Sequence, residues 1–406
     1  MNEPCGTKGV VMRMNVSFAK SEAQRERLEL VGRLADEMKR GAHETDEENG
    51  FNFGHIEKLK EAGYPGWTVP AEYGGAGITL YEFVLYQERL AQGDPAIALG
   101  IGWHLGIVYD LAHKRPWKEE ALGKLFRAAV STGALTNRAV TEKTSGSPSR
   151  GGKMLTSAVA TAEGYALNGR KTFTTLSPVL DLVIVTATLQ EDGTKADFLL
   201  PMSTPGVSVD PTWNMMGMRG TGSHDLVLED VRVPAEALVH RYADSDGQSA
   251  SPFLLHIPAC YLGIALAARA EALAFAADYQ PNSLDRPILY APNIGQLIGE
   301  IDLELSAARH FLYSVASRWD EPVADSRQWI PELNAVKVFA IRTALSVVDK
   351  ALRIAGAHGL ALSHPLQRLY RDVRFGLSNP PMEDSALRVL HQHAIAEIER
   401  ARGERP

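Results

Sequence analysis

Cysteine is scarce in this chain: Cys5 and Cys260 are the two among 406 residues. One distant pair cannot build a disulfide framework, and the sequence has neither a Cys-x-x-Cys motif nor a metal-ligand spacing. A reducing, cytoplasmic setting fits. Uninterrupted apolar runs are missing as well. The longest apolar stretch, Ala259 to Tyr279, is broken by Arg269, Glu271 and Asp278, so it reads as a buried helix and not as a membrane span. Positive charge is not in excess: 42 Lys and Arg stand against 49 Asp and Glu, a net charge of −7. Without a basic run, neither nucleic acid nor an anionic membrane is expected as a partner. The first eighteen residues mix charged and polar groups and lack the apolar segment of a secretory signal. His104, His256, His358 and His364 are scattered at no ligand spacing, so no metal site is expected.

Three regions of different period are present, which makes the expected fold class α+β. Residues 1–132 read as an N-terminal helical domain: Leu28, Val31, Leu34 and Met38 recur at helical spacing. Residues 133–240 change to short β-type runs and turns, and suggest a middle β-barrel domain. Asp181 to Leu189 is an apolar strand, Ala196 to Leu200, Gly206 to Val209 and Leu226 to Val233 follow, and Asn168-Gly169 is a hairpin signal. Residues 241–406 return to helical spacing. Leu262, Leu266, Ala270, Leu273 and Ala277 form one stripe, and Ile294 to Trp319 a second. Val336, Ala340, Thr343, Val347 and Ile354 form a third, and Leu387, Leu390, Ala394 and Ile398 a fourth. Four such helices predict a C-terminal four-helix bundle. Leu303, Phe311 and Tyr313 lie beside the second stripe and predict spare apolar surface for an oligomer.

Five motifs then occur in order. They are Val69-Pro-Ala-Glu-Tyr-Gly-Gly-Ala-Gly77, Thr141-Glu-Lys-Thr-Ser-Gly-Ser147 and Leu167-Asn-Gly-Arg-Lys-Thr-Phe-Thr-Thr175. Gly217-Met-Arg-Gly-Thr-Gly-Ser223 with Leu228-Glu-Asp-Val-Arg-Val-Pro234 is the fourth. The last is Gly356-Ala-His-Gly359 with Leu369-Tyr-Arg-Asp-Val-Arg374. Each is weak alone, but their order and spacing resemble the acyl-CoA dehydrogenase superfamily over nearly the whole chain after about residue 20. The resemblance implies FAD, with FMN as the alternative, and a homotetramer. It also implies acyl-CoA or a similar small molecule as substrate and electron-transfer flavoprotein as a possible acceptor. By the same resemblance Val140, Thr141, Ser147, Phe173, Thr174 and Thr175 line the flavin, with Thr175 donating toward N5. Donors at the N1–O2 edge and near N5 are what a reduced isoalloxazine needs, because a hydride taken at N5 leaves negative charge toward N1. Arg353 and Ala357 fall in the matching C-terminal segment and are expected near the cofactor's phosphate side, Arg353 equally as a solvated helix-end arginine.

The departures from the family pattern bear on the reaction. Pro281 stands where members carry an arginine for a pyrophosphate, and Leu254 stands where an arginine meets the CoA portion. The two positions at which members place a catalytic glutamate are Pro380 and Phe253, and related monooxygenases have a histidine where Asn379 stands. Glu383 and Asp384 are the nearest carboxylates. Either also fits a helix start; Glu383 is taken as the catalytic base and Asp384 as the cap. The implied activity is α,β-desaturation of an acyl thioester with hydride transfer to flavin. The alternatives are a reduced-flavin monooxygenase of the same fold and a catalytically silent ligand-binding homologue.

Overall fold

The computed structural model describes residues 17–144, 154–243, 250–321 and 326–403. The first of these hold five helices: α1 (Glu22–Glu48), α2 (Phe53–Glu61), α3 (Leu80–Leu90), α4 (Pro95–Lys114) and α5 (Glu119–Ser131). Their starts are written in the sequence. Ser21 accepts from the Gln24 amide, Thr79 and Glu82 form a reciprocal capping box, and Asp94 accepts from the Ala96 and Ile97 amides ahead of Pro95. In the loop before α3, a side chain on Gly75 would collide with the Val69 carbonyl, so that glycine is needed for close backbone approach.

The middle region holds β1 (Thr136–Ala139), β2 (Ser157–Thr161), β3 (Gly164–Thr174), β4 (Leu182–Leu189), β5 (Lys195–Pro201), β6 (Val207–Asp210), β7 (His224–Pro234) and β8 (Leu238–Arg241). They form one eight-stranded sheet in the order β6-β7-β3-β2-β4-β5-β8, with β1 pairing β4 in parallel. The hairpin expected at Asn168-Gly169 is not a turn. β3 runs straight through it, with a register shift against β7 between Leu167 and Gly169. Gly169 packs against the Thr156 backbone, where any side chain would clash. A bulge and a hairpin both ask for glycine, and here the bulge takes it.

The last region holds α6 (His256–Asp278), α7 (Pro292–Trp319), α8 (Ile330–Ala355), α9 (Pro365–Asp372) and α10 (Glu383–Arg402). α6 packs against α3, α4, α7, α8 and α9, so one core joins the two helical regions. Its first half is buried on nearly every side, which is why a one-face stripe misplaced it: Leu266, Ala270, Leu273 and Ala277 are only half-buried, while Ile264, Ala265, Ala268, Ala272 and Ala276 are buried. α4 and α6 are long and apolar enough to cross a membrane, yet 83% and 72% of their apolar windows are buried inside the protein, as in core helices. The fourth stripe differs from expectation. α10 lies on α8, but Leu387 and Ile398 are exposed. Of the spare surface read on α7, Leu303 is exposed and Phe311 half-buried, whereas Tyr313 is buried and bonded to Glu88.

Candidate flavin site

The end of β3 meets the residues after β1 at one corner. The Thr172 amide donates to the Thr141 carbonyl at 2.8 Å, and Lys171 Nζ reaches the Val140 carbonyl at 3.4 Å. Phe173 follows with φ +58°, left-handed backbone that costs an aromatic residue about 1–2 kcal/mol. It is 55% exposed, edge-on to buried Trp213 with ring centroids 5.9 Å apart. Trp213 in turn meets Phe375 at 6.0 Å. Thr174 is buried, and its hydroxyl has no partner among the described residues.

Beneath the corner lies a buried ion pair, Lys171 Nζ to Glu142 Oε1 at 2.7 Å. Glu142 also accepts from the Leu155 and Thr156 amides at 2.6 and 2.9 Å. Burial works against its charge, but Lys171 and these donors hold the carboxyl at about 2. The pair therefore fixes the path of Val140 and Thr141. Beside it runs a chain of buried hydroxyls. Thr175 Oγ1 is 2.9 Å from Ser223 Oγ, which is 2.8 Å from Thr221 Oγ1, which donates to the Met218 carbonyl at 2.9 Å.

The C-terminal region clamps this loop. Arg371 binds Asp46 of α1 and the Met216 carbonyl, and Asp372 accepts from the Met218 amide at 2.6 Å. Burial raises the Asp372 carboxyl to about 6 against the pull of Arg368. Gly217 packs on the Arg371 backbone, leaving no room for a side chain.

One residue beyond Phe375, the Gly376 carbonyl accepts from Lys337 Nζ at 3.1 Å. Lys337 is buried and borders a cavity of about 410 Å³. Leu254, Leu255, Leu333 and Val389 give the cavity its apolar wall, and Asn334, Ser385 and Arg388 add polar groups. Burial lowers the Lys337 amine to about 8, with Glu383 pulling the other way. Glu383 opens α10 and pairs with Arg342 at 2.6 Å; its neighbours Pro381 and Ser385 line the cavity, but Glu383 does not. The Pro380–Pro381 bond is cis.

The structure thus brings Val140, Thr141, Phe173, Thr174 and Thr175 together. Arg353 lies near the C-terminal end of α8, about 24 Å along the helix from Lys337 at 1.5 Å per residue. It is exposed and paired with Asp349 at 2.7 Å, and Ala357 is exposed too. Ser147 lies outside the described residues. His104 is structural, donating to the Pro65 carbonyl and accepting from the Thr136 amide. Among the described residues no three His, Cys, Asp or Glu cluster as a metal site. Sequence reasoning missed Trp213, Lys337 and the Glu142–Lys171 pair. Glu142 lies in the Thr141–Ser147 motif and Lys171 in the Leu167–Thr175 motif, and Lys337 is a lone charge beside an apolar stripe.

Three family models cover the chain: acyl-CoA dehydrogenase N-terminal domain at residues 21–128, middle domain at 137–231 and C-terminal domain at 255–378. The chain belongs to the acyl-CoA dehydrogenase family. It is 47% identical to "Putative acyl-CoA dehydrogenase YdbM" of Bacillus subtilis over 93% of this chain and 99% of that protein. It is 28% identical to the amino sugar nitrososynthase DnmZ of Streptomyces peucetius over 91% and 92%. The butyryl-CoA dehydrogenase structure from Megasphaera elsdenii matches with a TM-score of 0.83 at 23% identity, covering 94% of this chain and all of that one, and shares the fold. A flavin is typical of this fold. The corner fits one: Phe173 and Trp213 offer an aromatic wall, and the Thr174 hydroxyl is a buried polar atom awaiting a partner.

Proposed function

We propose that this acyl-CoA dehydrogenase family member holds FAD, or FMN, at the Val140–Thr141–Phe173–Thr174–Thr175 corner and α,β-desaturates an acyl thioester. The observation that carries the reading is Phe173, an exposed aromatic held in left-handed backbone beside Trp213, above a buried ion pair. Strain of that kind persists where the surroundings impose it and clusters at ligand sites. The flavin would supply hydride acceptance at N5. Phe173 and Trp213 exclude water from one side of the site. Thr175 would hydrogen-bond the ring near N5, and Thr174 would supply a further hydroxyl. The cavity beside Lys337 receives the substrate, of which about 410 Å³ holds the acyl end rather than a whole CoA. Glu383 takes the α-proton after releasing Arg342, since a base must come within hydrogen-bond reach of the proton it removes. Electron-transfer flavoprotein receives the electrons. A homotetramer in the cytoplasm completes the proposal, with Arg353 and Ala357 of a second copy meeting the phosphate side of the cofactor and Ser147 joining the flavin edge.

A second reading, a reduced-flavin monooxygenase acting with O₂ on an amine or aromatic compound, is favoured by one observation. Among the described residues the cavity lining includes Lys337 and Arg388 but no carboxylate. Its likeness to the nitrososynthase DnmZ supports the same reading. Anaerobic mixing of the flavin-loaded protein with a panel of acyl-CoAs separates the two. Bleaching of the flavin absorbance supports desaturation. No bleaching with any of them, together with substrate-dependent oxygen uptake by the reduced protein, supports the monooxygenase.

A further inference from the structure

We propose that Thr175, Ser223 and Thr221 form a hydroxyl relay whose direction follows the oxidation state of the flavin and which favours the reduced form. The proposal deepens the flavin reading above and rests on it. Thr175, Ser223 and Thr221 are 8%, 4% and 1% exposed as residues, so water has little access to their hydroxyls. Each hydroxyl has one proton to give. Thr221 spends its proton on the Met218 carbonyl. The 2.8 Å contact must then use the Ser223 proton, and the 2.9 Å contact the Thr175 proton. With the chain in this direction Thr175 has no proton left for a flavin and presents only lone pairs.

Oxidised flavin N5 is a hydrogen-bond acceptor, and reduced N5 carries a hydrogen and donates. The direction that follows from Thr221 donating to the Met218 carbonyl therefore suits the reduced ring. An oxidised ring requires the whole chain to turn: Thr221 donates to Ser223, Ser223 to Thr175, and Thr175 to N5. Turning leaves nothing stranded, because the Met218 carbonyl keeps the Trp213 Nε1 donor at 3.1 Å and the Thr221 amide at 3.1 Å. It does lose one hydrogen bond. With reduced flavin four bonds form from N5 to Met218; with oxidised flavin three form. One such bond changes an equilibrium by up to about tenfold. The relay end is fixed, since Asp372 holds the Met218 amide and Gly217 sits on the Arg371 backbone. Ser223 and Thr221 lie behind Thr175 in the chain and act as positioning residues through it.

The test is the equilibrium reduction potential of the bound flavin, read spectroscopically against a dye of known potential in the purified full chain. Ser223→Ala releases the Thr175 proton to oxidised N5 without any turning, and Thr221→Val leaves Ser223 with only Thr175 to donate to. Both are expected to shift the ratio of oxidised to reduced affinity about tenfold, lowering the potential by about 30 mV for a two-electron couple. Thr175→Ser keeps the hydroxyl and the wild-type value. A merely structural role would weaken both flavin states alike and leave the potential where it was. An unchanged or raised potential in both variants overturns the relay and leaves the flavin site standing. A wild-type protein that takes up neither oxidised nor reduced flavin overturns the functional reading, and the relay with it.

Discussion

His256 is the first residue of α6 and is fully buried, and neither ring nitrogen has a partner among the described residues. It stacks on Phe83 and meets Trp103 edge-on. An unpartnered buried polar group costs about 1–3 kcal/mol, so replacing the ring by a hydrocarbon of similar volume is stabilising at any pH. A second effect depends on pH. Burial lowers the imidazole from 6.5 to about 3. The unfolded chain thus takes a proton below about 6.5 while the folded chain does not, and stability is lost as pH falls through that window toward 3. At pH 5 the loss is 1.5 units at about 1.4 kcal/mol each, about 2 kcal/mol. His256→Leu removes it. The variant should be more stable than wild type at pH 8, and the gap should widen by about 2 kcal/mol at pH 5. Urea unfolding followed by tryptophan fluorescence, at matched protein concentration, measures both. His104, lowered to about 4, and Asp372, raised to about 6, titrate in both proteins and cancel. A gap that stays constant from pH 8 to pH 5 would refute the buried neutral imidazole. A variant less stable than wild type at pH 8 would show that the ring nitrogens are partnered after all.

Glu142→Gln leaves the Lys171 ammonium buried without its counter-ion and should cost about 3–5 kcal/mol by thermal or urea unfolding, with weaker flavin retention. Adding Lys171→Met should restore part of that stability, and a double variant no better than Glu142→Gln would deny the coupling. Arg309 holds Glu88 through two bonds of 2.9 and 2.8 Å while Tyr313 supplies a third, so Arg309→Met should also cost about 3–5 kcal/mol in the same unfolding assay. Glu383→Gln should slow anaerobic flavin reduction by a reducing acyl-CoA by about 10²–10⁴-fold if Glu383 is the base, and an unchanged rate in stopped flow removes it from the mechanism.

The fold was legible because each region announced its own period: the α1 stripe, the β4 run and the α8 stripe needed only local spacing. The errors came where tertiary contact overrode a local sign. Asn168-Gly169 carries the hairpin signal, but the approach of Thr156 decides its use. α6 resists a one-face reading because neighbours surround it. The motifs named Thr141 and Phe173 to Thr175, which the fold brings to one corner because they are neighbours in sequence or across one strand. They could not deliver the Thr175–Ser223 bond, which joins residues 48 apart. Nor could they show that Glu383 begins in the hands of Arg342, because Arg342 lies on another helix.

The motif at Tyr370-Arg-Asp372 shows why five weak signals were stronger together. Arg371 and Asp372 touch none of Thr141, Phe173 and Thr175 directly. They hold Met216, Gly217 and Met218, and that loop holds Trp213 and the end of the hydroxyl chain. Arg371 also grips Asp46, so the first helix, the sheet and the last region meet at one loop. The arrangement carries a stability cost: Asp372 is buried, and its carboxyl is raised from 3.8 to about 6. Because the folded value is the higher one, stability is greatest below about pH 4 for this group and falls as pH rises through 6. An aspartate that only had to fill space there would be better as an apolar residue. A carboxylate kept at that cost, with its oxygen on the Met218 amide, is explained by the position of the Met218 carbonyl, which the hydroxyls reaching Thr175 depend on.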